Sequence, residues 1–283
     1  MKRLSDIGTI KDILSRHGFT FSKSLGQNFL INPSVCPRMA ELSGADTGVG
    51  VIEVGPGIGV LTNELCKLAD KVVAIELDKR LLPVLDETLS EYDNLKIVND
   101  DILKIDLHEL IREEFNGMEV VVCANLPYYI TSPVIMKLLE DKLPISAITV
   151  MVQKEAAQRI CADVGSRQSG AVTVSVNYYA KPEMLFSVSA GSFMPAPKVD
   201  SAVIRLNVLN EPRISVSDEG RFFSVVKAAF SQRRKTLSNS LSSGLSLSKS
   251  EVNKILVNCG IPVNTRAEQL RLENFADIAN NLG

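Results

Sequence analysis

Four residues, Asn125-Leu126-Pro127-Tyr128, directly follow the short apolar run Glu119–Ala124. Their types suit the alkylation of an amine conjugated to a heteroaromatic ring, such as the exocyclic amine of adenine. That nitrogen is a poor nucleophile because its lone pair is delocalised into the ring. Two fixed acceptors that take its two N–H groups would aim the lone pair out of the ring plane. The Asn125 side chain and the Leu126 carbonyl are the candidates. Pro127 fixes φ at about −65° and stiffens the turn. Tyr128 offers a face for base stacking, worth about 1–3 kcal/mol, and its hydroxyl is idle in this scheme. A base reaches such a pocket only by leaving its stack or loop. No general base is required, because the alkylated amine is acidic enough to lose its proton late. The competing reading is an Asx-type turn beside a core tyrosine.

A second group lies upstream. Val51-Ile52-Glu53-Val54-Gly55-Pro56-Gly57-Ile58-Gly59 reads as a strand running into a glycine turn and a helix. Glycines there take positive φ and let a ligand approach the backbone. The G-x-G-x-G spacing differs from the G-x-G-x-x-G of a dinucleotide fingerprint. Pro56 also removes a backbone donor that a phosphate cradle would use. The loop therefore suits a nucleoside better than a pyrophosphate. Glu76 ends the next strand, 17 residues after Gly59, where a carboxylate can accept both hydroxyls of a ribose. Asp101 follows the third strand and can accept a hydrogen bond from an adenine amine. The alternative is a tight turn flanked by solvated acids.

Such residues meet only if strand ends meet. The expected strands are Val49–Val54, Lys71–Glu76, Leu95–Val98, Glu119–Ala124 and Ile145–Val152, alternating with helices that include 60–69, 78–90, 132–140 and 154–162. That alternation implies an α/β fold, a Rossmann-like parallel sheet with helices on both faces and ligands at the carboxyl ends of the strands. Asn32-Pro33 reads as an N-cap and first helical turn, opening a helix to about Gly44. Residues 171–180, 185–189 and 201–208 read as strands without intervening helices, an antiparallel finish to the sheet. Residues 218–283 show helical periodicity with Ser-rich breaks over 238–250. The expected division is therefore a large domain, 1–209, with a basic N-terminal extension, and a small helical domain, 210–283.

The 283 residues carry 45% hydrophobic and 23% charged side chains, an ordinary globular balance. The net charge of −2 is unevenly spread: +4 over residues 1–38, +3 over 211–283 and −9 between. An acidic middle with basic ends fits a polyanion gripped at its edges, although charge alone favours chance patterning on a solvated surface. No apolar run approaches the roughly 20 residues of a spanning helix. The N-terminus shows no secretory pattern. Five scattered cysteines and two distant histidines suggest no metal site. A cytoplasmic, metal-free protein is expected.

The chain resembles the ribosomal RNA adenine dimethyltransferases of the KsgA type over nearly its whole length. The resemblance rests on Ser24–Leu30 (SLGQNFL), Glu53–Gly59 (EVGPGIG), Glu76, Asp101, Asn125–Ile130 (NLPYYI), Met151–Ile160, Phe193–Leu206 (FMPAPKVDSAVIRL) and Ala228–Leu241 (AAFSQRRKTLSNSL). It implies that Asn28, Leu30, Gly55, Glu76, Asp101 and Asn125 contact S-adenosylmethionine, with Asn125 also meeting the substrate amine. The implied substrate is two adjacent adenines near the 3′ end of 16S ribosomal RNA within the small subunit, each dimethylated. A role in small-subunit assembly and a monomeric state are also expected. Arg233, Arg234 and Lys235 read as an RNA-facing patch making salt-sensitive phosphate contacts, or else as a solvated helix start. Phe193 would cap the flipped base opposite Tyr128, or be a core phenylalanine. Rival readings are a large-subunit adenine methyltransferase giving antibiotic resistance, a non-enzymatic assembly factor, and a nicotinamide-dependent oxidoreductase, the last disfavoured by the glycine spacing.

Overall fold

The structure, a computed structural model, describes residues 4–19 and 28–282. Nine strands and twelve helices lie among them. The strands are β1 (Phe29–Leu30), β2 (Val49–Val54), β3 (Lys71–Ile75), β4 (Leu95–Val98), β5 (Glu119–Asn125), β6 (Ala147–Gln153), β7 (Ala180–Val188), β8 (Phe193–Met194) and β9 (Ser201–Val208). Six of the helices precede or alternate with strands β1–β6: α1 (Ile7–Arg16), α2 (Val35–Ser43), α3 (Val60–Cys66), α4 (Leu82–Thr88), α5 (Leu107–Phe115) and α6 (Thr131–Glu140). The others are α7 (Lys154–Ile160), α8 (Ala171–Tyr179), α9 (Glu219–Phe230), α10 (Leu237–Leu245), α11 (Lys249–Asn258) and α12 (Leu272–Asn280).

Seven strands form one sheet in the order β4-β3-β2-β5-β6-β9-β7. β4, β3, β2, β5 and β6 run parallel, and β9 pairs antiparallel with β6. This is the expected parallel sheet with an antiparallel finish. Alternate residues of β2 serve opposite faces. Val51 packs into a core with Cys36 and Met39 of α2 and Leu65 and Cys66 of α3. Gly50 lies against Phe115 of α5, so close that a Cβ there would meet the ring at 2.1 Å. α1 packs through Ile10, Ile13 and Leu14 on Phe29, Ile58 and Leu81.

The chain divides into two compact units. One holds the chain through Ala157 together with Glu183–Val208; the other holds Gln158–Pro182 and the chain from Leu209 onward. The second unit thus draws on a segment that sequence reading placed in the large domain. Within that segment, Ala171–Tyr179 is helix α8 and not a strand. Its β-branched and aromatic residues favour strands only weakly, and packing overrides them. Every residue from Thr173 to Tyr179 is buried, the signature of a helix apolar on all sides. Tyr178 stacks on Phe222 of α9 at a centroid distance of 4.9 Å. Thr173 Oγ1 accepts from the Gly170 N–H at 2.9 Å and donates to the Arg159 carbonyl at 2.6 Å, which sets the helix start.

Two smaller differences have similar causes. Of the serines expected as breaks, Ser238, Ser240, Ser242 and Ser243 lie inside α10, where Ser238 and Ser240 are buried and Ser238 Oγ donates to Asn253 at 2.6 Å; Ser246 and Ser248 do mark a break, as the caps between α10 and α11. α2 begins at Val35, two residues after the expected start, because the Asn32 side chain accepts from the Ser34 N–H at 3.1 Å in an Asx turn.

Candidate functional site

The carboxyl ends of β2, β3, β4 and β5 open onto one cavity of about 380 Å3 in the first unit. The order of strands reverses between β2 and β5, the place where open α/β sheets bind ligands. Asn28, Leu30, Gly55, Glu76, Asp101, Asn125, Leu126, Pro127, Tyr128 and Phe193 all line this cavity. Residues separated by up to 165 positions are brought together. The Ser24–Gln27 part of the SLGQNFL motif, and Lys2, Arg3 and Lys23 of the basic extension, lie outside the described residues.

The glycine turn is built from positive backbone torsions. Gly55 has φ 70° and donates its N–H to Ile75 at 2.9 Å, tying the end of β2 to β3. Gly59 has φ 89°, and a Cβ there would come within 2.9 Å of Leu89. Both positions therefore demand glycine. Glu76 is 6% exposed. Its Oε1 accepts from the Asp78 N–H at 2.7 Å and its Oε2 from the Gly57 N–H at 3.4 Å. Burial raises the Glu76 pKa above the usual carboxylate range, and the backbone bonds from Asp78 and Gly57 work against that rise. The Asp101 carboxylate accepts from the Leu103 N–H at 3.0 Å and lies 3.7 Å from Lys104 Nζ.

Asn125 is the last residue of β5 and is half-buried; Leu126 is buried. The Leu126 N–H donates to Met151 of β6 at 3.3 Å, which locks the chain where it leaves the sheet. Among the described residues, neither the Asn125 side-chain amide nor the Leu126 carbonyl takes part in a hydrogen bond. Pro127 has φ −55° and ψ 133°, and its carbonyl accepts from Ile130 at 3.1 Å, opening a single 3-10 turn over Tyr128–Ile130. The Tyr128 hydroxyl lies 2.7 Å from Ser201 Oγ on β9. Leu30 stands opposite Phe193 in the β1–β8 pair. Phe193 is buried in the core and also lines the cavity.

Arg233, Arg234 and Lys235 lie in the second unit, in the exposed turn between α9 and α10. None of the three forms an ion pair with a described residue. Further contributors to the cavity were missed from sequence. Ile102 and Leu103, which follow Asp101, add apolar wall, and Tyr129 stands 56% exposed at the lining. Glu53 also lines it while 1% exposed, and its Oε2 has no hydrogen-bond partner. Burial pushes the Glu53 carboxyl up to about 8, against the pull of the nearby Thr62 hydroxyl and with the Glu76 charge adding to it. The signal for Glu53 was available: it is the one charged residue inside an otherwise apolar strand.

No helix among the described residues is long and apolar enough to cross a membrane. No group of three or more His, Cys, Asp or Glu among them is arranged to hold a metal ion.

Residues 18–283 match the family model described as ribosomal RNA adenine dimethylase. The chain is 48% identical to a ribosomal RNA small subunit methyltransferase A of Alkaliphilus oremlandii, over the whole chain and 99% of that relative. It is 46% identical to the protein of that name from Bacillus mycoides, over the whole chain and 98% of the relative. Among solved structures, a dimethyladenosine transferase from Plasmodium falciparum aligns with TM-score 0.71 and 26% identity, covering 88% of this chain and 95% of that one. The 23S rRNA methyltransferase ErmE aligns with TM-score 0.67 and 28% identity, covering 90% and 99%.

Proposed function

The chain belongs to the ribosomal RNA adenine dimethylase family, and on that premise we propose that it dimethylates the N6 amine of two adjacent adenines near the 3′ end of small-subunit 16S ribosomal RNA. The observation that carries the chemistry is the pair of unengaged acceptors, Asn125 and the Leu126 carbonyl, lining the same cavity as Glu76 and Asp101.

The cavity fits S-adenosylmethionine. Glu76 offers buried carboxylate oxygens at the end of β3, where a ribose is held. Asp101 and the apolar Ile102 and Leu103 suit an adenine edge and face. Asn28, Leu30 and Gly55 border the remaining length. The orphaned Glu53 Oε2 offers an unpaired acceptor, and a cationic ligand beside this buried carboxyl would favour its ionised form. When bound, the cofactor supplies a methyl group activated on a sulfonium sulfur.

The protein's own residues do the rest. The Asn125 side chain and the Leu126 carbonyl accept the two N–H groups of the adenine amine. This turns the nitrogen lone pair from the ring toward the methyl carbon. Pro127 holds the two acceptors in register. The Tyr128 ring carries the flipped base, and Phe193 closes the cavity from the β1–β8 pair. As the N–C bond forms, the bond from the methyl carbon to sulfur would break, leaving a neutral thioether, and the nitrogen, briefly cationic, would release a proton to solvent. One N–H remains for the second transfer, so one acceptor still orients the nucleophile. Most of the acceleration expected here is positioning and desolvation, not acid–base catalysis.

Arg233, Arg234 and Lys235 hold RNA phosphates, and the protein works as a monomer on small-subunit particles in the cytoplasm, where it contributes to their assembly. The 46–48% identity to small-subunit enzymes, against 28% to ErmE, favours the small subunit over the large one. The test is methylation of small- and large-subunit particles from cells lacking these modifications, read by mass spectrometry of the RNA. Two adjacent N6-dimethyladenines in small-subunit RNA alone are expected. Methylation confined to large-subunit RNA would overturn the assignment, and no methylation of either would favour an assembly factor.

A further inference from the structure

Sequence reasoning left the Tyr128 hydroxyl without a task. In the structure it lies 2.7 Å from Ser201 Oγ, a residue 73 positions away on a different strand. Ser201 is fully buried. Among the described residues, neither side chain has another hydrogen-bond partner. A buried serine hydroxyl needs a partner, and Tyr128 is the one it has.

We propose that Ser201 is a positioning residue for Tyr128, anchoring the tip of the ring so that its face stands where the target base must be held. The proposal rests on the reading of Tyr128 as the base platform. Ser201 is well placed to act as an anchor. It pairs with Gln153 at the start of β9. The preceding residue, Asp200, accepts from the Lys154 N–H through its carbonyl at 3.0 Å. The Asp200 carboxylate accepts from the Ala190 N–H, also at 3.0 Å. The anchor point is therefore held by the pairing with β6 and by the two hydrogen bonds to Asp200. On the other side, Tyr128 follows a proline and begins a single 3-10 turn, a short element with few bonds of its own. Its hydroxyl lies at the far end of the side chain, on the axis about which the ring turns. A bond there stops the ring from swinging about χ1 while leaving its face free. Stacking depends on where the ring stands, so an anchored ring spares the base the cost of ordering it.

The bond makes two substitutions equivalent. Ser201→Ala and Tyr128→Phe should each slow single-turnover methyl transfer about five- to tenfold, the factor associated with one neutral hydrogen bond. The double variant should be no slower than either single, because both remove the same contact. Affinity for small-subunit particles should stay within about twofold, because phosphate contacts dominate it. Ser201→Thr, which retains the hydroxyl, should recover most of the rate. The reactions are run with saturating S-adenosylmethionine and unmethylated particles. A wild-type rate in Tyr128→Phe overturns the proposal even if Ser201→Ala fails to fold. Losses that multiply in the double variant overturn it too. If Tyr128→Ala also runs at the wild-type rate, the reading of Tyr128 as base platform fails, which is a separate result.

Discussion

Replacing Glu53 by Gln should stabilise the fold by an amount that grows with pH. Glu53 is 1% exposed, and one of its oxygens has no partner. Burial, with the Glu76 charge adding to it, raises its carboxyl from 4.5 to about 8. A raised carboxylate pKa means that the native state holds a proton the unfolded chain has lost. Stability therefore falls as pH rises through the interval between the two values, by about 1.4 kcal/mol per pH unit. Below 4.5 both states are protonated and nothing is lost; above 8 both are ionised and the loss is constant. Glutamine carries no such dependence. The gain from Glu53→Gln should be near zero at pH 4.5, about 3 kcal/mol at pH 7, and level off between 4 and 5 kcal/mol above pH 8. A pH-independent offset from exchanging hydroxyl for amide moves the whole curve without changing its shape. Urea unfolding at half-unit steps from pH 5 to 8.5 reads the slope directly. At pH 7 the thermal midpoint should rise by roughly 6–12 °C, taking 2–4 °C per kcal/mol for a unit of this size. A stability difference between Glu53→Gln and wild type that does not change across that range would refute the reasoning, because it would mean Glu53 ionises in the fold as it does in the unfolded chain.

Three further substitutions probe the site and the patch. Asn125→Ala should slow single-turnover methyl transfer on the order of a hundredfold while particle affinity changes little, since the acceptor acts chiefly as the transition state forms; near-normal rates would remove Asn125 from the chemistry. Glu76→Ala should weaken S-adenosylmethionine binding roughly tenfold or more in calorimetry, and unchanged affinity in the folded variant would place the ribose elsewhere. Changing Arg233, Arg234 and Lys235 together to Ala should lower RNA affinity and flatten its salt dependence by up to about three units of slope, with cofactor affinity unmoved. An unaltered slope would mean that this exposed turn faces away from RNA.

Much of the site could be read because its parts are contiguous in the chain and tied to strand ends. Gly55–Gly59, Glu76, Asp101 and Asn125–Tyr128 each follow a short apolar run, and in a parallel sheet consecutive strand ends point the same way. Once the alternation of strands and helices is recognised, the cavity follows from connectivity. What could not be read depended on packing from distant segments. α8 carries Val, Thr and Tyr at positions that suit a strand, and only its burial on all sides by neighbours such as Phe222 makes it a helix. The serines of α10 look like breakers until Asn253 of α11 accepts from Ser238. A local pattern cannot report a partner supplied from another element.

Glu53 and Ser201 show the same limit inside the site. Each is a polar residue at a buried strand position, and sequence alone makes each a mild anomaly. Their meanings differ because their partners differ. Ser201 has one, and the bond reaches the ring that faces the cavity. Glu53 has an oxygen with none, an unused hydrogen-bonding capacity in the lining of the cavity. A buried polar group left unsatisfied costs stability, and a cation bound beside Glu53 would lower that cost. On the proposed reading the two residues divide the work of the cavity: one would hold the base platform still, and the other would gain a partner when the cavity is filled. It follows that Glu53→Gln, although it stabilises the fold, should weaken cofactor binding, and calorimetry on the same variant decides whether stability and affinity move in opposite directions.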